Sequence, residues 1–309
     1  MRKIGLLLLV ISSAFASYVI DEVDYNPNAL AGVILPPSED IYRKVVEAYQ
    51  EHDWAKVKKE GQFLLKHYPH SPFVQEVYFY LGTSLYELRT FDKSNFFMSQ
   101  YLATEGVSKH FEEVMLIKYK IARGYQRGKL KPLFGFRPLP NLLGAKEEAL
   151  NIYDEIIASM PRHDLAAQSL YYKGHLLLQG KSFQDSIESF QTLIRRFPKH
   201  PLAVDGYLAV LDVYLTKSKK DYADPDLLDL ALLNQRQFSQ HFPSESRLAE
   251  GETKILQLKE VLAQDLMKVA SYYKKSKKTD AIKLYYSAII ERYPETLCAK
   301  EAQTLLLSL

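Results

Sequence analysis

The chain has 309 residues, 47% of them hydrophobic and 25% charged, and a formal net charge of +3. That length buries a sizeable core in one or two compact units, and that composition excludes wholesale disorder. The near-neutral balance also excludes the electrostatic footprint of a nucleic-acid binder.

The first residues read as a secretory signal. Arg2 and Lys3 form a short basic region, Ile4 to Ile11 an apolar run, and Ala14-Phe15-Ala16 a small-x-small cleavage pattern before Ser17. The run is too short to span a bilayer as a helix, so residues 1–16 are expected to be removed, with cleavage between Ala16 and Ser17. The reading expects an extended segment at 17–37 and a mature chain without a membrane span. No Cys stands near the cleavage point, so no lipid anchor is expected there. The single Cys, Cys298, excludes an intramolecular disulfide and reads as a small apolar contact in the last helix.

From there on a short phrase recurs: an aromatic or apolar residue, Pro, a polar pair, then a new helix. It appears at Tyr68-Pro69, Met160-Pro161, Phe197-Pro198, Phe242-Pro243 and Tyr293-Pro294. Each Pro ends a helix, because it lacks an N–H and restricts the residue before it. Ser71, His163, Ser244 and Thr296 lie close behind, at positions suited to a helix start.

These steps fit the tetratricopeptide repeat (TPR), a helix pair of about 34 residues. Counting back from Pro198, Gly174, Phe183, Ser186 and Phe190 fall where that repeat places small, aromatic, small and aromatic residues. Gly82, Phe91 and Ser94 repeat the pattern, Trp54 joins it in the first unit, and Ala270, Tyr273, Ala281 and Tyr285 in the last. The spacing predicts helix pairs at 38–69, 73–105, 111–160, 164–197, 201–242 and 247–294, then a capping helix from about 296. The fold class is therefore all-α: a TPR-type helix-pair solenoid with N-terminal units at 38–200 and C-terminal units at 201–309.

Two interruptions stand out. Residues 126–144 hold Gly128, Pro132, Gly135, Pro138, Pro140 and Gly144, which read as a loop insertion carrying Arg127, Lys129, Lys131 and Arg137. Lys217, Lys219 and Lys220, followed by Asp221, Asp224 and Asp226, read as a loop ending in an acidic helix start.

No catalytic or metal-binding pattern is present: no P-loop, no GxGxxG after a strand, no GxSxG and no HExxH. His67 and His70 are the nearest histidine pair, but Pro69 between them makes a turn and not a metal site. No enzyme, no cofactor and no metal is expected. What a TPR stack does offer is an inner face, lined from the first helix of each pair. In this register that face holds Tyr42, Val46, Tyr49, Phe79, Tyr86, Tyr119, Arg123, Tyr171 and His175. A ladder made mostly of Tyr suits an extended peptide with alternating aromatic side chains; the rival reading is that some rings pack against neighbouring helices.

The C-terminal half adds a resemblance. It reads Tyr222-Ala223-Asp224-Pro225-Asp226, then Gln240-His241-Phe242-Pro243-Ser244-Glu245-Ser246, Leu262-Ala263, Val269-Ala270-Ser271-Tyr272-Tyr273, Glu291-Arg292-Tyr293-Pro294-Glu295-Thr296 and Glu301-Ala302. These steps, with Lys66 to Ser71 near the N-terminus, resemble the BamD family of outer-membrane β-barrel assembly factors. The resemblance covers most of residues 38–306. It implies a periplasmic TPR scaffold at the outer membrane, one end binding unfolded outer-membrane proteins through a C-terminal aromatic signal. It implies that the C-terminal repeats dock on the POTRA domains of a BamA-like barrel subunit, with Lys254 and Lys259 at that surface. Members of that family usually carry a lipidated Cys after the signal, and this chain departs from them there, so membrane association is expected through partners. The alternative is a general periplasmic TPR adaptor for division or peptidoglycan proteins, similar to CpoB.

Overall fold

In the computed structural model the described residues are 35–104, 106, 108–128, 131–133, 136–220 and 224–309, with 131–133 and 136–144 described by backbone alone. The signal at 1–16, its cleavage site and nearly all of 17–37 lie outside them. The chain divides into two compact units, Met1–Ile152 and Tyr153–Leu309.

The first unit contains α1 (Ser38–Gln50), α2 (Trp54–His67), α3 (Val74–Glu87), α4 (Phe91–Ala103) and α5 (Phe111–Gln126), then strands β1 (Lys131–Leu133) and β2 (Phe136–Asn141) and the start of α6 (Leu142–Ser159). The second contains the end of α6, α7 (Asp164–Gln179), α8 (Phe183–Arg196), α9 (Pro201–Lys220), α10 (Asp226–His241), α11 (Leu248–Lys275), α12 (Thr279–Arg292) and α13 (Leu297–Leu307). Consecutive helices pack from α1 to α5 and from α7 to α13, and so do alternate ones: α1 on α3 and α3 on α5, α7 on α9 and α9 on α11. That is the packing of TPR-type helix pairs, and the fold is the all-α helix-pair solenoid the spacing predicts.

The repeated phrase works as expected. Tyr68, Phe197, Phe242 and Tyr293, each before a Pro, leave the helix with φ of −133°, −127°, −134° and −133°. In three of the five steps the polar residue that follows caps the next helix, whereas α3 and α11, behind Ser71 and Ser244, start without a side-chain cap. His163 Nδ1 accepts the Leu165 N–H at 3.1 Å, His200 Nδ1 accepts from Leu202 at 3.1 Å and Thr296 Oγ1 accepts from Ala299 at 3.1 Å. Each such cap satisfies a helix-end donor that would otherwise lack a partner.

Inside a pair the small residues set the spacing. Ser94 Oγ donates to the Gly82 carbonyl at 2.7 Å, and Ser186 Oγ donates to the Gly174 carbonyl at 2.8 Å, so one lock recurs in both units. A Cβ at Gly174 would stand 2.7 Å from the Phe190 ring, and one at Gly82 would stand 2.8 Å from Met98 Cε. The turn between paired helices also recurs. His52, Arg89, Lys181 and Lys277 adopt φ of 58°, 60°, 64° and 54°. In each the following N–H reaches back to the last turn, as from Thr90 to the Leu85 carbonyl at 2.8 Å and from Ser182 to Leu177 at 3.0 Å. These are left-handed helix stops made without glycine.

Two expectations are corrected. The insertion is not all loop, because β1 and β2 form an antiparallel ribbon pairing Lys131 with Asn141 and Pro132 with Pro140. A two-stranded ribbon consists of edges only, so its prolines leave no donor missing inside a sheet. Lys217, Lys219 and Lys220 belong to the last turn of α9 and not to a loop, whereas Asp226 opens α10 as expected, with Asp229 in the same turn. The sixth pair opens with α11, a continuous helix of 28 residues.

Candidate functional site: an aromatic inner face and a lysine-rich cleft

The first unit brings the predicted rings together. Tyr42 stacks on Phe73 with centroids 4.3 Å apart and lies 6.4 Å from Tyr80. Tyr49 stands 4.8 Å from Tyr80, 6.2 Å from Phe79 and 5.7 Å from Trp54. Tyr42, Tyr49 and Tyr80 are each half-buried, so each keeps an edge toward solvent while its body packs. Burial raises the phenol pKa of Tyr49 and raises that of Tyr80 well above the usual tyrosine range, with the neighbouring Tyr42 adding to the latter. The Tyr49 and Tyr80 hydroxyls are therefore neutral hydrogen-bonding groups at physiological pH.

Phe79 departs from the expectation. It is 2% exposed, stacked on the His110 ring at 4.0 Å and 6.0 Å from Tyr101. It is a core ring, because phenylalanine has no polar end to keep at the surface. Tyr80, the next residue, takes the half-exposed place and was not singled out from the sequence; in a run of Tyr78-Phe79-Tyr80 the polar tips were the available signal. His110 sits between carboxylates, Nδ1 3.1 Å from Glu113 and Nε2 3.4 Å from Glu76.

The rest of the ladder is looser. Val46 is half-buried, and half-buried Tyr86 meets Phe91 at 5.7 Å. On α5, Arg123 Nη1 donates to Gln126 Oε1 at 2.7 Å, and Tyr119 is half-buried. In the second unit Tyr171 and His175 meet at 4.5 Å and pack on Phe190 at 6.1 and 5.1 Å. Those two side chains thus rest on the ring that presses against Gly174.

Lys254 and Lys259 are committed to partners within the unit. Lys254 Nζ lies 2.6 Å from Asp212 and 3.6 Å from Glu250, tying α11 to α9. Lys259 pairs with Glu295, whose carboxyl it holds below the usual range, tying α11 to the chain before α13. Arg247 joins the same seam, 2.6 Å from Asp205.

Further along α11 the surface opens. A cleft of about 780 Å³ runs between the end of α9 and α11, lined by Lys219, Lys220, Asp265, Lys268 and Tyr272 among others. A second, of about 610 Å³, is lined by residues of α11 and α13 and shares Lys268 and Tyr272 with the first. Among the described residues no cluster of His, Cys, Asp and Glu could hold a metal ion, and no helix is long and apolar enough to cross a membrane.

A model of the YfiO family, described as an outer membrane lipoprotein, matches residues 147–308. No curated protein matches the chain. Among solved structures, a tetratricopeptide repeat protein from Parabacteroides merdae is 15% identical, covering 87% of this chain and 98% of that one, with a TM-score of 0.38. A thermophilic TPR protein of Thermus thermophilus is 14% identical, covering 71% of this chain and 100% of that one, with a TM-score of 0.33.

Proposed function

This chain belongs to the YfiO family of outer membrane lipoproteins, and from that premise we propose that it is a periplasmic TPR scaffold for the assembly of outer-membrane β-barrel proteins. The scaffold acts by holding other polypeptides, not by chemistry. Its substrates are unfolded barrel proteins, bound by their aromatic C-terminal strands, and its stable partner is a BamA-like subunit whose POTRA domains dock on the C-terminal repeats. The protein reaches the periplasm through the cleaved signal at residues 1–16 and meets the membrane through its partners. Lys254 and Lys259 shape the docking surface by pinning α11 in place.

The observation that supports the substrate reading is the half-buried trio Tyr42, Tyr49 and Tyr80. A β-strand presents every second side chain to one side, so it offers a row of rings to such a face. The test is a titration with a labelled peptide ending in an aromatic residue, against the same peptide ending in Ser. The aromatic peptide binds more tightly, and changing Tyr42 and Tyr49 together to Ala weakens it roughly tenfold with helicity retained. Equal binding of the two peptides overturns the reading. Purification from native membranes tests the partner: a POTRA-bearing barrel protein supports assembly, and division or peptidoglycan proteins in its place support the general adaptor.

A further inference from the structure

We propose that the cleft between the last turn of α9 and the C-terminal half of α11 is a docking site for an extended acidic segment of a partner protein. It lies wholly in the second unit, and its lining does not include Lys254 or Lys259 of the ion-paired seam.

Three observations carry the inference. The first is charge. Lys219, Lys220 and Lys268 line the cleft against a single carboxylate, Asp265. Lys268 lies 2.6 Å from Asp265, whereas Lys219 makes no ion pair among the described residues and Lys220 rests over the Phe183 ring at 5.5 Å. Basic residues at helix ends complement the helix dipole, but that dipole amounts to about half a charge and acts within the last turn. Three ammonium groups exceed it several-fold, and Lys268 stands before the last turn of α11. Lys274, Lys275, Lys277 and Lys278 continue the positive surface beyond it.

The second is an exposed ring. Tyr272 is 66% exposed although it sits in a helix between two clefts. Its neighbour Tyr273 stacks on Tyr285 at 5.6 Å, so the local packing is satisfied without Tyr272. An exposed ring beside lysines is the combination that anchors an apolar residue flanked by acids.

The third is shape. The charged side chains stand on the walls of a concavity of about 780 Å³. Sites of about 300–1,000 Å³ take small ligands or a few residues of chain. A membrane surface instead needs a convex basic face with the lysines reaching one plane. The geometry therefore favours an extended peptide over a lipid surface.

The experiment uses the full mature chain and a labelled peptide of roughly ten residues in which acids alternate with two Phe. The comparison peptide carries Gln and Asn in place of the acids. The acidic peptide binds at least about tenfold more tightly, and its affinity falls as salt rises. The double change Lys219→Glu and Lys220→Glu weakens it by about tenfold or more, and Tyr272→Ala by several-fold. These side chains are exposed, so circular dichroism stays unchanged. The titration with an aromatic-ended, uncharged peptide is run on the same variants; its retention separates this site from the aromatic face of the first unit. Equal binding of the acidic and amide peptides overturns the proposal, as does indifference to the charge reversal. Sedimentation with vesicles rich in anionic lipid, without binding of the acidic peptide, overturns it in favour of a membrane surface.

Discussion

In the first unit the tyrosines of the inner helices touch one another, whereas in the last repeat of the second unit the most exposed tyrosine meets one ring and otherwise faces solvent. Tyr42, Tyr49 and Tyr80 form a continuous half-buried patch over buried Phe79. Tyr272 has Tyr273 beside it at 5.6 Å and a cleft on either side. The same residue type is thus packed on one side and open on the other in the first region, and almost wholly open in the second. The difference follows from what surrounds the ring: aromatic neighbours from the next helix pair in the first case, lysines in the second. A packed ring stabilises its unit, and an exposed one is free to meet a partner.

The sharpest way to break this contrast is to delete a ring from each region. Phe79→Ala removes a fully buried ring and is expected to cost about 3–5 kcal/mol. Tyr272→Ala removes an exposed one and should cost less than about 0.5 kcal/mol. Denaturant unfolding of the two variants measures both. Similar losses would mean that the exposed ring is part of the packing after all.

The close-approach glycines make a second, smaller test. Gly174→Ala sets a Cβ 2.7 Å from the Phe190 ring, so α7 and α8 have to part or the ring has to move. The expected cost is about 1–3 kcal/mol, and it should lower the thermal midpoint of the second unit. At Gly180 the nearest atom to an added Cβ is a carbonyl oxygen at 3.4 Å, so Gly180→Ala is the matched control and is expected to be near neutral. A midpoint unmoved by Gly174→Ala would show that the repeat register is wrong.

Much of this arrangement was legible in the residues. The Pro steps marked the ends of α2, α6, α8, α10 and α12, because proline's missing donor acts locally, whatever the tertiary context. The Gly174–Ser186 and Gly82–Ser94 spacings located the closest helix approaches, since only small residues fit there. Other features were not legible. The ribbon at β1 and β2 was hidden by its own prolines, which read as loop unless a two-stranded partner is known. The helical state of Lys217, Lys219 and Lys220 was obscured by the acidic run behind them. In the candidate site, the choice between Phe79 and Tyr80 as surface ring turns on a one-residue shift in the register of α3. The partners of Lys254 and Lys259 come from residues 42 and 36 positions away, beyond any local pattern.

The lone thiol gives a prediction confined to the second unit. Cys298 is 7% exposed, and burial, with Glu260 adding to it, pushes its pKa up to about 12. The thiolate is the reactive form, so near neutral pH the native chain should resist thiol reagents while the denatured chain reacts at once. Rapid labelling of the native protein would show that the packing of α13 against α11 opens readily, and that the clefts beside it are less fixed than described.

The smallest expected effect probes what the two units share. Arg89 in the first and Lys181 in the second hold left-handed conformations, with φ of 60° and 64°, at the same turn of their repeats. The left-handed region costs a residue with a Cβ about 1–2 kcal/mol, and glycine escapes that cost. Glycine in turn loses more backbone freedom on folding, which takes back about 0.5–1 kcal/mol. The difference leaves Arg89→Gly and Lys181→Gly each stabilising by roughly 0.5 kcal/mol. For a unit of this size that raises the midpoint by about 1–2 °C, which calorimetry resolves. Neither side chain forms an ion pair among the described residues, and both are exposed, so the substitution tests backbone strain alone. Equal gains in the two units would mean that their turns are interchangeable and that they differ only in what their inner faces carry. A gain in one and a loss in the other would trace the contrast between the units down to the backbone of the repeat.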